Sequence, residues 1–97
     1  MLEHTVTFTL KHAPGSPEEA DFLAAARELF AIPGVLNFQV LRQTSQKNPH
    51  TFGISMNFAS AADFQAYIDH PDHIAFVNER WLKEVSDFQE ADFEELL

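Results

Sequence analysis

The chain has 97 residues, a net charge of −9, and a 45% apolar composition with ten phenylalanines and no cysteine. One core fits in that length and a second domain does not, while the lack of cysteine excludes disulfides and thiolate metal sites. Six basic residues, scattered at Lys11, Arg27, Arg42, Lys47, Arg80 and Lys83, form no stripe for a phosphate backbone, so no nucleic-acid partner is expected.

The N-terminus lacks the basic start and apolar run of a signal peptide, and no stretch is long enough to span a bilayer. A cytoplasmic protein with no membrane partner is therefore expected. From His4 to Leu10 the chain alternates with a period of two. Val6, Phe8 and Leu10 share one face with His4, and Thr5, Thr7 and Thr9 share the other, which predicts a half-buried strand. Ala13-Pro14-Gly15 breaks it. Ser16-Pro17-Glu18-Glu19 then opens a helix, with Ser16 placed to cap it and Pro17 where no N–H is needed. Phe22, Leu23, Ala26, Leu29 and Phe30 make its buried stripe, and Pro33-Gly34 ends it. Phe8, Phe22, Phe30, Phe38 and Phe58 are the rings expected in the interior.

Leu36, Phe38 and Val40 alternate with Asn37 and Gln39 in a second strand, and Ser45 to His50 is a polar loop. Phe52, Ile54, Met56 and Phe58 alternate with Gly53, Ser55 and Asn57 in a third strand. Ser60 and Asp63 cap a second helix whose inner face carries Phe64, Tyr67 and Ile68. Pro71 interrupts that helix, since it has no N–H and crowds the preceding turn. A helix resumes with His73 or Ile74, Val77, Trp81 and Leu82 on one side. Val85 to Phe88 predicts a fourth strand, and the acidic end, about residues 89–97, reads as a solvated tail.

The order β-α-β-β-α-β predicts an α+β, ferredoxin-like domain, a four-stranded antiparallel sheet with both helices on one face. The opposite face would carry Thr5, Thr7, Thr9, Asn37, Gln39, Gly53, Ser55 and Asn57, with Leu41 its clear apolar member.

The candidate site lies at the proline break. His73 falls in the first turn of the resumed helix, where the helix dipole and partial burial both favour a neutral imidazole, the form a general base needs. Its other reading is a junction residue that bonds backbone or His4. Tyr67 can donate to a carbonyl or an enolate, or bond a neighbour as an interior aromatic. His4, in phase with the apolar side of its strand, needs a partner, and His73 is the expected one. Val6, Phe8, Phe22, Phe76, Val77 and Trp81 are the expected walls for a substrate. His70 is expected at a helix C-terminus. His70 and His73 form His-x-x-His, but the proline break spoils the helical spacing, so no metal site is assigned.

His4-x-Val6-x-Phe8, Ile32-Pro33-Gly34-Val35, Phe58-x-Ser60-x-x-Asp63 and Tyr67-x-x-His70-Pro71-x-His73-x-x-Phe76 occur in this order. Together they resemble the stress-responsive A/B barrel (Dabb) family from about His4 to Phe88. The resemblance implies a single domain over 1–97 that pairs, as a homodimer, through the sheet face opposite the helices to form a dimeric α/β barrel. One branch of the family consists of polyketide cyclases, and there residues matching Tyr67 and His73 are implicated in an intramolecular aldol closure, with a histidine matching His4 nearby. The resemblance therefore implies a cofactor-free pocket enzyme acting on an apolar carbonyl compound, with His73 as base, Tyr67 as donor and His4 orienting. A non-catalytic ligand-binding or stress-protective oligomer is the competing class. A cofactor-free monooxygenase is a third, by fold analogy alone.

Overall fold

The computed structural model describes residues 1–97. Strand β1 (Leu2–Leu10) is followed by helix α1 (Pro17–Arg27), strands β2 (Leu36–Arg42) and β3 (Phe52–Phe58), and helices α2 (Ala61–Asp69) and α3 (Pro71–Phe76). A wide π-type turn, Val77–Trp81, then leads to the short α4 (Leu82–Glu84) and to strand β4 (Val85–Glu94). The strands form one antiparallel sheet in the order β2-β3-β1-β4. Helices cover a single face, so the fold is α+β and ferredoxin-like, as the element order predicts.

Alternation in the two central strands dictates where the core sits. Val6, Phe8 and Leu10 of β1 and Phe52, Ile54, Met56 and Phe58 of β3 point to the helical side, where Phe22, Ala26, Leu29, Ile32 and Tyr67 close over them. Phe8, Phe22 and Phe58 are fully buried. Each buried ring of this size stabilises the fold by about 2–3 kcal/mol.

Phe30 departs from the helical stripe and is 53% exposed. After Arg27 the helix tightens into a 3-10 turn, Glu28–Ala31. At three residues per turn the inward phase passes to Leu29 and carries Phe30 outward. Strand β2 contains a second departure. Leu36 pairs with Asn57 but Gln39 pairs with Ser55, so one extra residue is accommodated between them. Asn37 takes a left-handed φ of 53° there, a conformation asparagine tolerates, and its amide donates to Asn57 Oδ1 at 3.1 Å. The bulge leaves Phe38 and Val40 inward but moves Leu36 to the outer face, which Leu41 shares at the other end of the strand.

Strand β4 is longer than its apolar pattern indicates. Its register against β1 pairs His4 with Asp92, Val6 with Glu90, and Phe8 with Phe88. Phe88, Glu90 and Asp92 therefore share the helical face, and Asp87, Gln89, Ala91 and Phe93 the outer one. Residues 89–94, expected as part of a solvated tail, are the second half of this strand.

The outer face also holds a buried histidine. Loop 43–51 closes around Gln43, whose Nε2 donates to the carbonyls of Ser45, Asn48 and His50 at 3.1, 3.1 and 2.7 Å. His50 is thereby laid across the sheet, 8% exposed. Its Nε2 lies 2.8 Å from Asp87 Oδ2 and its Nδ1 2.7 Å from Thr7 Oγ1.

Candidate active site

Pro71 creates the site by what it withholds. Without the proline, residue 72 would donate to the carbonyl of Ile68 and the helix would run on. Instead the Asp72 N–H donates to His70 Nδ1 at 3.1 Å, and the Ile68 carbonyl is left for a side chain. His73 takes it, its Nδ1 donating at 3.1 Å. A carbonyl only accepts, so Nδ1 carries the hydrogen and the neutral ring keeps its lone pair on Nε2. His70 stands at the C-terminus of α2 as expected, but its ring serves the N-terminus of α3 instead, where an unprotonated nitrogen is needed.

His4 is fixed by the same logic. Its Nδ1 lies 2.5 Å from Asp92 Oδ1, and a carboxylate only accepts, so the lone pair of neutral His4 is also on Nε2. The expected bond to His73 is absent because β4 supplies a better acceptor directly opposite. The His4 ring stacks at 4.9 Å from Phe64 and 6.4 Å from Tyr67, and Tyr67 lies 4.6 Å from His73, centroid to centroid.

These three rings surround a cavity of about 270 Å³ between sheet and helices. Val6, Phe76, Val77 and Trp81 join His4, Tyr67 and His73 in its lining. The wide turn after α3 brings Val77, Trp81 and Leu82 to one side, a use for which such turns recur at functional sites. Phe8 and Phe22 do not reach the cavity. They pack behind it against Trp81, at 5.0 and 6.2 Å between centroids, and belong to the core. Leu29, Ile54, Met56, Leu82, Phe88 and Glu90 complete the wall. Sequence reading missed Glu90 and Asp92 because both were placed in the tail. Continuing the two-residue period from Phe88 finds them.

No buried side-chain nitrogen or oxygen lacks a hydrogen-bond partner. The Tyr67 hydroxyl and Nε2 of His4 and His73 have no protein partner, so each opens onto accessible space rather than into sealed packing. Burial, helped by the charge of Glu90, raises the Tyr67 pKa far above that of a free phenol. The ring stays neutral and is a hydrogen-bond donor. Burial lowers the His73 pKa; the bond to Ile68 opposes this, His4 adds to it, and Glu90 opposes it. The net result is an imidazole below its ordinary value, uncharged at neutral pH. The cavity wall therefore carries one neutral phenol donor and two histidines whose Nε2 atoms have no protein partner, residue types suited to moving a proton beside a carbonyl.

The profile of the stress responsive A/B barrel domain matches residues 2–95. The chain belongs to this family. Among solved structures, a Dabb protein with a ferredoxin-like fold from Mesorhizobium loti MAFF303099 is 52% identical, with a TM-score of 0.96 over 98% of this chain and 96% of that one. A dimeric ferredoxin-like protein of unknown function from Thermobifida fusca YX is 22% identical, with a TM-score of 0.75 over 97% of this chain and 90% of that one. A Nitrosomonas europaea protein named as a candidate antibiotic biosynthesis monooxygenase is 16% identical, with a TM-score of 0.73 over the whole of both chains. At those two identities the likeness to the Dabb chain extends to the fold alone. No curated protein matches.

Proposed function

We propose that this Dabb protein is a cofactor-free acid–base catalyst acting on small, apolar carbonyl compounds. The observation that carries the reading is that Tyr67, His4 and His73, whose Oη and Nε2 atoms bond nothing in the protein, all line one largely apolar cavity. His73 Nε2 takes a proton from the carbon α to a carbonyl while the Tyr67 hydroxyl donates to the oxygen as enolate charge develops. The enolate carbon then attacks a second carbonyl of the same molecule. The resulting alkoxide recovers the proton from the His73 imidazolium, directly or through His4, which Asp92 holds in position. This is the aldol closure of the polyketide-cyclase branch. A cytosolic setting suits a chain without cysteine.

The protein acts as a homodimer in this reading, paired through the outer sheet face. Support comes from the dimeric relative and from Leu36, Leu41 and Phe93, each an exposed large apolar side chain on that face. Sedimentation equilibrium tests it.

The enzymatic reading is tested by deuterium exchange α to the ketone of 4-phenylbutan-2-one in D2O, followed by NMR. The wild type accelerates exchange over buffer and His73→Asn does not; no acceleration by wild type would overturn the proposal. Binding without turnover is favoured by one specific observation, the His73–Ile68 bond, which also closes the helix junction. Exchange at the buffer rate together with saturable binding would select that alternative.

A further inference from the structure

Glu90 is the one carboxylate that lines the cavity, and no lysine or arginine lines it. Register puts it there: it pairs with Val6, two residues before Asp92, on the strand face turned to the helices. The neighbouring titratable groups offer no fixed positive charge to offset it. His4 is already paired with Asp92 through Nδ1, and burial keeps His73 neutral although its Nδ1 donates to Ile68. Glu90 itself is exposed, and the side chains beside it, Leu82 and Phe88, are 63% and 46% exposed, so this strand edge forms the mouth.

We infer that Glu90 sets the charge of the ligand: the cavity takes a neutral or cationic apolar compound and rejects carboxylates and phosphates. This rests on the cavity being a ligand site, as proposed above. The free groups support it by a count of donors and acceptors. Glu90 and the two Nε2 atoms accept, and only Tyr67 donates, so the fitting compound presents its own donor, a hydroxyl or an ammonium, near the mouth. An ammonium at that point also meets the rings of Phe88 and Trp81, 5.5 Å apart edge to face. An anion there would face a carboxylate on a protein of net charge −9.

The test uses three probes with the same phenylalkyl body: 3-phenylpropylamine, 4-phenylbutan-2-one and 3-phenylpropionate. Trp81, the sole tryptophan, lies in the wall and reports occupancy by fluorescence, with calorimetry as a second readout. In wild type the amine binds about tenfold or more tighter than the carboxylate, with the ketone between. Glu90→Gln, isosteric and at an exposed position, narrows that gap to about threefold or less. Equal affinities in wild type, or a ranking that survives Glu90→Gln, would overturn the role of Glu90 while leaving the ligand site intact. Failure of all three probes to bind wild type would overturn both.

Discussion

His4 and His50 each bond an aspartate of β4, yet on opposite faces of one sheet they are finished in opposite ways. His50 spends both ring nitrogens, one on Asp87 and one on Thr7, beneath a loop that Gln43 ties shut. His4 spends one nitrogen on Asp92 and leaves the other open, beside a second histidine and a phenol in the same condition. Residue types alone do not separate these clusters. What separates them is the number of polar atoms the protein leaves unpaired: a closed set holds strands together, and an open set is available to a ligand.

The largest effect that tests this contrast is on exchange chemistry. His73→Asn lowers the proposed rate of α-proton exchange by about 10² to 10⁴, the usual contribution of a positioned base. Its stability falls by about 1 kcal/mol at most, since one hydrogen bond to Ile68 is altered. An active His73→Asn would put the open cluster in the same class as the closed one.

Substitution at the closed cluster inverts the pattern. His50→Ala removes two partly buried bonds that span β1, β4 and loop 43–51, and costs about 1–3 kcal/mol in urea unfolding. Exchange activity in the folded fraction stays at the wild-type level. A His50→Ala variant as stable as wild type would show that burial of this ring does no structural work.

Tyr67→Phe and Thr7→Val make a finer comparison, because each deletes one hydroxyl. The Tyr67 hydroxyl bonds nothing in the protein, so its loss changes stability by less than about 0.5 kcal/mol while slowing exchange about ten- to a hundredfold. The Thr7 hydroxyl bonds His50, so its loss costs about 1 kcal/mol and leaves exchange alone. Thermal melts and the NMR assay on both variants check the crossing.

Much of this was legible in the residues, and each failure has its own physical cause. His4, Tyr67 and His73, which line one cavity, stand out in the sequence because each interrupts an otherwise apolar face, and Pro71 marks where the helix must release a carbonyl. The helical caps at Ser16 and Ser60 bond the Glu19 and Asp63 N–H groups, as their spacing predicts. Strand β4 was cut short because its inward positions after Phe88 are Glu90 and Asp92, which erase the apolar alternation that announces a strand. Glu90, which lines the cavity, and Asp92, which holds His4, are the residues that hide the strand's end. His50 was missed for a different reason. A histidine in a polar Asn-Pro loop gives no sign that Gln43 will fold the loop onto the sheet. Leu36 and Phe30 were misplaced by a bulge and a 3-10 turn, each a one-residue change of phase that periodicity cannot register.

The smallest effect is carried by pH, and its sign follows from His73. Burial holds its pKa below the ordinary imidazole value of about 6.5. Between that lowered value and about 6.5 the unfolded chain binds more protons than the folded one, so stability rises with pH across the window. It is fully present above 6.5 and is lost as the pH falls through the folded pKa. The basic form is also the catalytic one, so exchange climbs over the same lowered range and is flat at neutral pH. The raised Tyr67 pKa keeps the phenol protonated well beyond it. Because the charge of Glu90 raises the His73 pKa, Glu90→Gln moves the acid limb of the rate profile to still lower pH. His50, on the far face, contributes nothing to that limb, so His50→Ala leaves it in place. A limb at or above pH 6.5, or one that follows His50 rather than His73, would mean that the open cluster is not where the proton is taken.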